Sequence, residues 1–380
     1  MKKIRKILSV VTAASMLASL TACGGGSAAE TTKAAETKAA ETKAAETKAE
    51  SAEKAETNAA SGTETDYTQG DPVIIKFCTT TAETQPSAHF GKTLSARLDE
   101  LTGGRIKVEV YCNSEMGKAS ELMEGLQLGT IEMTVSTSAN LGGFTDSVAL
   151  LDLPYLFSCG EAATEVMDGE IGDGILAELE NSGFHGLGWV TGNTELWRLL
   201  TSNEEVHVPA DLKGSKLRVM NNEIHETTWN TLGASAIPMA FSELYSSLQN
   251  GTVDAQENPW GQIQGSKLYE VQHYIIKTQH SYDFSPVLIS RIFWEGLSES
   301  DRELIQQVCD EITPAEREYT DELQRQAEKE AVDYGCEVIE LTPEEKSQWV
   351  ELGRSVYPKF ADKIGQDRID KCLEISKKYE

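Results

Sequence analysis

Apolar positions along the chain switch between a spacing of two and a spacing near 3.6, and the switches lay out strands and helices in alternation. Val73 to Phe77 is a short apolar run that reads as a strand. Behind it, Phe90, Leu94, Leu98 and Leu101 fall on one helical face, with Ser87 placed to cap the helix and Gly103-Gly104 to end it. Ile106, Val108 and Val110 alternate as the next strand. A helix from Lys118 to Leu128, a stop at Gly129 and a strand from Ile131 to Ser136 follow. This β-α-β-α-β order predicts parallel pairing with right-handed crossovers.

The stretch from Lys216 to Trp260 repeats the order as strand, helix, short strand, helix, strand. Leu217 and Val219 alternate with Lys216 and Arg218, so the strand sends its apolar pair to one face and Arg218 to the other. A helix through Thr227, Thr228 and Trp229 closes at Leu232-Gly233. A second, from Ser242 to Asn250, stops at Gly251, and a strand starting at Thr252 carries Asn258 at its carboxyl end, where open α/β sheets hold ligands. The segment Glu121 to Glu132 echoes Glu243 to Asp254 in the corner Leu-Gln-x-Gly-Thr. Two similar lobes are expected, each aiming a strand end at a shared cleft, with Ser136 to Asn140 corresponding in place to Gln256-Glu257-Asn258. Thr191 to Thr201 reads as one crossing between lobes, and His280-Ser281-Tyr282 as a second. Ser298-x-x-Asp301 and Thr342-Pro343-Glu344-Glu345 are helix starts, and Pro314 to Tyr334 is an amphipathic, charge-rich helix.

Composition narrows the function. At 380 residues and 39% hydrophobic, the chain can fill two α/β cores. A net charge of -27 with no basic patch excludes nucleic acid as a partner. Lys2, Lys3, Arg5 and Lys6 precede an apolar stretch from Ile7 to Leu20, and Leu20-Thr21-Ala22-Cys23 resembles a bacterial lipobox. Residues 1–22 are therefore expected to be a lipoprotein signal peptide, with Cys23 lipidated and the protein anchored to the outer face of a membrane without spanning it. Residues 23–70, with the pentad K-A-A-E-T recurring from Lys33 to Thr47, cannot form a core and read as a linker with a reach on the order of 40 Å. The remaining cysteines, at 78, 112, 159, 309, 336 and 372, have no CxxC pair and no zinc-ligand spacing. Buried thiols and disulfides both stay open for them.

Catalytic signatures are missing. No HExxH, GxSxG or CxxC occurs. Met116-Gly117-Lys118-Ala119-Ser120 fails as a phosphate loop because Cys112 stands where the first glycine belongs, and Gly186 to Gly192 misses the dinucleotide spacing. Neither an enzyme nor a cofactor is expected, and no metal.

Arg198 and Arg218, twenty residues apart, could converge on one anion, because a guanidinium forks two parallel hydrogen bonds onto a carboxylate and stays charged when desolvated. In so acidic a protein either could equally be a surface ion-pair partner. The passages W-R-L-L-T, D-L-K-G-S-K-L-R-V, L-G-A-S-A-I-P-M-A-F-S-E-L-Y-S-S-L-Q-N-G-T-V-D-A-Q-E-N-P, K-L-Y-E-V-Q and L-P-Y-L-F together resemble the DctP-type solute receptors of tripartite ATP-independent periplasmic (TRAP) transporters. The resemblance covers nearly all of the chain after Asp71. It implies an α/β, two-lobe periplasmic-binding-protein-like fold, with a ligand cleft between the lobes and a long helix spanning both. Lobe 1 would comprise residues 71–195 and 284–323, and lobe 2 residues 196–283 and 324–380. It further implies a monomer that closes on a small organic acid, a C4-dicarboxylate or a sugar acid, and delivers it to TRAP membrane permease subunits. By position, Arg218 resembles the carboxylate-binding arginine, Arg198 the second arginine that supports it, Phe241 the aromatic packed on the ligand, and Asn258 an amide donor to the carboxylate. Thr137 falls where the first lobe supplies a polar residue. Trp260 and Trp229 could line the pocket for a sugar-acid ring or sit in the core. The competing reading is a lipid-anchored sensor or signalling ectodomain that binds a small carboxylate.

Overall fold

In a computed structural model of the chain, residues 66–380 are described. The expected signal peptide, Cys23 and the linker as far as residue 65 lie outside the described residues. The linker ends earlier than residue 70, however. Tyr67 packs against the first core and its carbonyl accepts a hydrogen bond from Arg105 Nε at 2.9 Å.

The first lobe opens with β1 (Val73–Cys78), α1 (Pro86–Thr102), β2 (Ile106–Tyr111), α2 (Ala119–Leu128) and β3 (Met133–Val135). Helix α1 starts on Pro86, whose fixed φ suits a first turn. Ser87 is not the cap: its hydroxyl lies 3.0 and 2.6 Å from those of Thr79 and Thr81 instead. Helices α3 (Gly160–Met167) and α4 (Glu170–Leu179) and strand β4 (Phe184–Trp189) complete this stretch.

The chain then crosses into β5 (Leu199–Ser202), β6 (Lys216–Val219), α5 (Glu223–Thr231), β7 (Ser235–Pro238), α6 (Leu244–Gln249), β8 (Ala255–Asn258), α7 (Trp260–Gly265) and β9 (Tyr274–Ile276). Strand β8 begins three residues later than the sequence pattern suggested, since Thr252 and Val253 still close the preceding turn onto Ser247. The chain returns through β10 (Pro286–Ser290), α8 (Arg291–Gly296), α9 (Glu299–Tyr334), β11 (Glu337–Ile339), α10 (Pro343–Arg354), α11 (Tyr357–Ile364) and α12 (Gln366–Lys377).

The strands form two sheets, one in the order β2-β1-β3-β10-β4 and the other β11-β9-β5-β8-β6-β7. Parallel pairing holds for β1 with β2 and β3, and for β6 with β7 and β8, as the β-α-β order demands. The crossing strands break the pattern: β10 runs antiparallel to β3 and β4, and β5 antiparallel to β8 and β9.

Helix α9 joins the lobes. Leu304, Ile305, Val308, Cys309 and Ile312 enter the core under the first sheet, whereas Ala327 and Ala331 enter the core of the second. Pro314 sits inside it without ending it. Midway, the buried Asp321 carboxylate accepts the backbone N–H groups of Asn193, Thr194 and Glu195 at 3.2 to 3.4 Å, pinning the helix to the crossing segment. The two crossing segments are themselves tied by Arg198 N–H to Ser281 O and Asp283 N–H to Leu196 O, both 2.9 Å.

The C-terminal segment divides differently from the expected assignment of 324–380 to the second lobe. Trp349 of α10 is fully buried in the second-lobe core beside Trp229. Tyr357, Phe360, Ile364, Ile369 and Cys372 of α11 and α12 pack instead into the first-lobe core with α3 and α4. Their apolar stripes find a partner only there. The six cysteines from Cys78 onward are free thiols, all buried except the half-buried Cys159. Among the described residues no helix is long and apolar enough to cross a membrane.

Candidate ligand-binding site

A cleft of about 350 Å³ lies between the lobes. The crossing segments, β6, the turn after β7, the end of β8 and the N-termini of α1 and α2 all contribute to its walls. Its position follows from the topology, because β6 and β8 run parallel and deliver their carboxyl ends to the same edge.

Arg218 is 2% exposed and reaches this cleft from β6. Nε and Nη2 both donate to the carbonyl of Met239, at 3.0 and 2.7 Å. Met239 is held in place by its own N–H bond to Val219 O. Nη1 is buried without a partner. The guanidinium carbon lies 5.8 Å from the Phe241 ring centroid, so the aromatic face backs the charge. No carboxylate of the described residues pairs with Arg218. Burial therefore pushes its pKa down to about 10, with neighbouring Arg198 adding to the depression and Glu257 opposing it. A desolvated cation with an unused donor is a site for an anion.

Arg198 also lines the cleft, but it is saturated. Nε and Nη2 fork onto Glu257 at 2.5 and 3.0 Å, Nη1 donates to Asp283 at 3.0 Å, and Nη2 also reaches Asn258 Oδ1 at 3.2 Å. Burial opposes its charge, and the Glu257 and Asp283 carboxylates more than restore it. Thr137 Oγ1 donates to the same Asp283 oxygen at 2.6 Å, so the first lobe joins the network. Asn258 donates from Nδ2 to Gln256 Oε1 at 2.5 Å. Thus Thr137, Arg198, Arg218, Phe241 and Asn258 all line one cavity.

Trp260 does not. It packs with Leu199, Ile263, Leu268 and Ala327 in the second-lobe core, because α7 turns that face onto α9. Trp229 is likewise fully buried in core, edge-on to His280.

Sequence reasoning missed the ionic support beneath the cleft. Glu257 lies on β8 in the middle of Gln256-Glu257-Asn258, and a carboxylate inside a short central strand was the available signal. His280 Nε2 is 3.1 Å from Glu257 Oε2, and Thr278 Oγ1 is 2.9 Å from His280 Nδ1. Burial pushes His280 down to about 4 despite the Glu257 carboxylate. His225 sits 3.7 Å from Glu257 and 3.6 Å from Asp152 of the first lobe. Burial opposes its protonation, but the two carboxylates overcome this and hold it at about 9. Asn222 adds a second tie across the lobes, donating to Asp152 at 2.7 Å and to the Ala139 carbonyl at 3.0 Å. Among the described residues, no group of three or more His, Cys, Asp or Glu side chains is placed to hold a metal ion.

The profile of the DctP family, described as bacterial extracellular solute-binding protein, family 7, matches residues 77–363. The chain belongs to that family. Among DctP relatives, the C4-dicarboxylate-binding periplasmic protein DctP of Rhodobacter capsulatus is 33% identical over 302 residues, spanning 79% of this chain and 90% of that one. The sugar acid binding protein DctPAm of Advenella mimigardefordensis, solved in complex with galactonate, superposes with a TM-score of 0.78 at 30% identity, covering 82% of this chain and 99% of that one. A TRAP periplasmic solute binding protein from Shewanella oneidensis, solved with bound succinate, gives 0.77 at 27% identity over 80% and 99%. Both neighbours superpose over nearly their whole length, so the two-sheet architecture of this chain is shared with them.

Proposed function

We propose that this protein is an extracytoplasmic solute receptor that binds a small organic acid, a C4-dicarboxylate or a sugar acid, and delivers it to a TRAP membrane permease. One observation carries the reading: Arg218 is buried at the cleft with Nη1 unused and no counter-ion among the described residues. A carboxylate there would accept from Nη1 and complete the charge pair. Phe241 backs the guanidinium, Asn258 supplies an amide, and Arg198, neutralised by Glu257 and Asp283, positions Asn258 rather than binding a second anion. Because the ligand would touch both lobes, it favours the closed arrangement by its differential affinity for it. The activity is capture and release, without catalysis, by a monomer. Cys23, carrying the lipid anchor, would keep the receptor at the outer face of the membrane beside its permease.

A thermal-shift screen tests this. One class of organic acid should raise the melting temperature strongly, while its amide or alcohol analogue should not. A response to a neutral sugar or a peptide, with none to any acid, would overturn it.

A further inference from the structure

We infer that the ligand is a polyhydroxylated monocarboxylate, of the aldonate or uronate type, rather than a C4-dicarboxylate, and that Gln85 reads its hydroxyls. The inference rests on the receptor reading above.

The cations of the cleft set the number of carboxylates. Among the described residues, three basic side chains line it: Arg218, Arg198 and Lys118. Arg198 is already matched by Glu257 and Asp283. Lys118 stands at the rim, half exposed, and pairs with Glu243 of the other lobe at 3.0 Å. Arg218 alone is left for a ligand carboxylate. A second carboxylate would find no free cation, and would share the cavity with Asp283.

The rest of the lining asks for groups that both donate and accept. Gln85 is 1% exposed, and both its amide nitrogen and its amide oxygen are buried without partners. It precedes α1 of the first lobe and lies against α7 of the second. A Cβ at Gly265 would come within 2.3 Å of Gln85 Nε2, and one at Gly261 within 3.2 Å of Gln85 Oε1, so the two glycines make the seat for this amide. Gln262, also lining the cleft, has a buried and unpartnered Oε1. A hydroxyl satisfies such atoms, because it donates to the oxygens and accepts from the nitrogen. A carboxylate only accepts, and would leave the Gln85 and Gln262 oxygens unpaired in a desolvated site. Either orientation of the Gln85 amide leaves an NH2 donor and a carbonyl acceptor to be satisfied. The hydroxyls of Thr79, Thr81 and Ser87, linked to one another at 2.6 to 3.1 Å, continue the neutral polar wall beside it.

Calorimetric titration of the full chain with galactonate, galacturonate, succinate and hexanoate tests the assignment. One of the two sugar acids should bind at least about tenfold more tightly than both succinate and hexanoate, since each unmatched buried polar group weakens binding by roughly that factor. Gln85→Met, which keeps the side-chain bulk but not the amide, should reduce the preference for the sugar acid over hexanoate by about tenfold, with folding checked by thermal melting. Succinate binding as tightly as the sugar acids would overturn the substrate class and leave the carboxylate receptor standing. An unchanged preference in Gln85→Met would overturn the role of Gln85. Binding of none of the acids would remove the receptor reading and this inference with it.

Discussion

Arg198 and Glu257 form a forked ion pair at 2.5 and 3.0 Å with both side chains out of water, and this pair decides which of the two cleft arginines is free. Twenty residues along, Arg218 is as deeply buried, yet two of its nitrogens meet only the neutral Met239 carbonyl. Two residues of one type, lining one cavity, therefore differ in electrostatic standing. One is compensated and structural. Under the proposed function, the other would meet its counter-charge in the ligand.

Replacing Arg218 should therefore raise stability while removing function. Its depression from 12.5 to about 10 by burial corresponds to a penalty of about 3 kcal/mol for keeping the charge in the folded state. Arg218→Met is expected to melt at a higher temperature than the ligand-free parent and to show no acid binding by calorimetry. Wild-type affinity in this variant would take Arg218 out of the site. A lower melting temperature would mean that its bonds to Met239 outweigh the buried charge.

Stability should also fall as pH rises, through His225. Asp152 from the first lobe and Glu257 from β8 hold its imidazolium at about 9 against burial, compared with 6.5 in the unfolded chain. A folded-state pKa raised in this way contributes stability that is complete below about 6.5 and is lost as pH rises through about 9. The melting temperature is expected to drop by several degrees across that window. His225→Gln should begin lower at pH 6.5 and lose less. A variant with the parental slope would assign the titration to another group.

The parts legible in the sequence were those with local rules. Period-two and period-3.6 patterns gave β1, α1, β2, α2 and β6, and glycine stops such as Gly103, in a left-handed conformation, gave their ends. The repeated Leu-Gln-x-Gly-Thr corner pointed to two lobes. Arg218 was legible because its strand alternates. The supporting carboxylates were not, since Glu257, Asp283 and Asp152 meet Arg198 and His225 only through contacts distant in sequence. Gln85 was hidden for the same reason: the residues it packs on across the lobes, Gly261 and Gly265, carry no side chain to advertise them. The division of the C-terminal helices was also non-local, because the amphipathic faces of α11 and α12 say that they must be buried but not against which lobe.

Trp260 tests the difference between a pocket aromatic and a core one. It is 5% exposed among Leu199, Ile263 and Ala327 and is absent from the cleft wall. Trp260→Leu is expected to cost about 2–4 kcal/mol of stability, measured by denaturant titration, and to change acid affinity by less than about threefold. A large loss of affinity with unchanged stability would return the indole to the pocket.

Lobe movement should depend on Asp321, because its carboxylate gathers three bonds from the crossing segment onto α9, beside a longer Arg325–Glu195 ion pair at 3.9 Å. Three N–H groups in succession, from Asn193 to Glu195, converge on it, and Gly192 permits the approach, since a Cβ there would lie 2.5 Å from Asp321 Oδ1. Removing the carboxylate leaves those part-buried donors without a protein acceptor, at about 1–3 kcal/mol for each one that water cannot reach. Asp321→Ala is expected to lower stability by about 2 kcal/mol or more, and Asp321→Asn by less, because its amide oxygen still accepts. Hydrogen exchange should then show faster exchange at residues 193–195 and in the middle of α9, with β1 and β2 unaffected. Equal protection in Asp321→Ala and the parent would mean that the crossing is held by the paired strands of residues 196–198 and 281–283, and that α9 follows the lobes without coupling them.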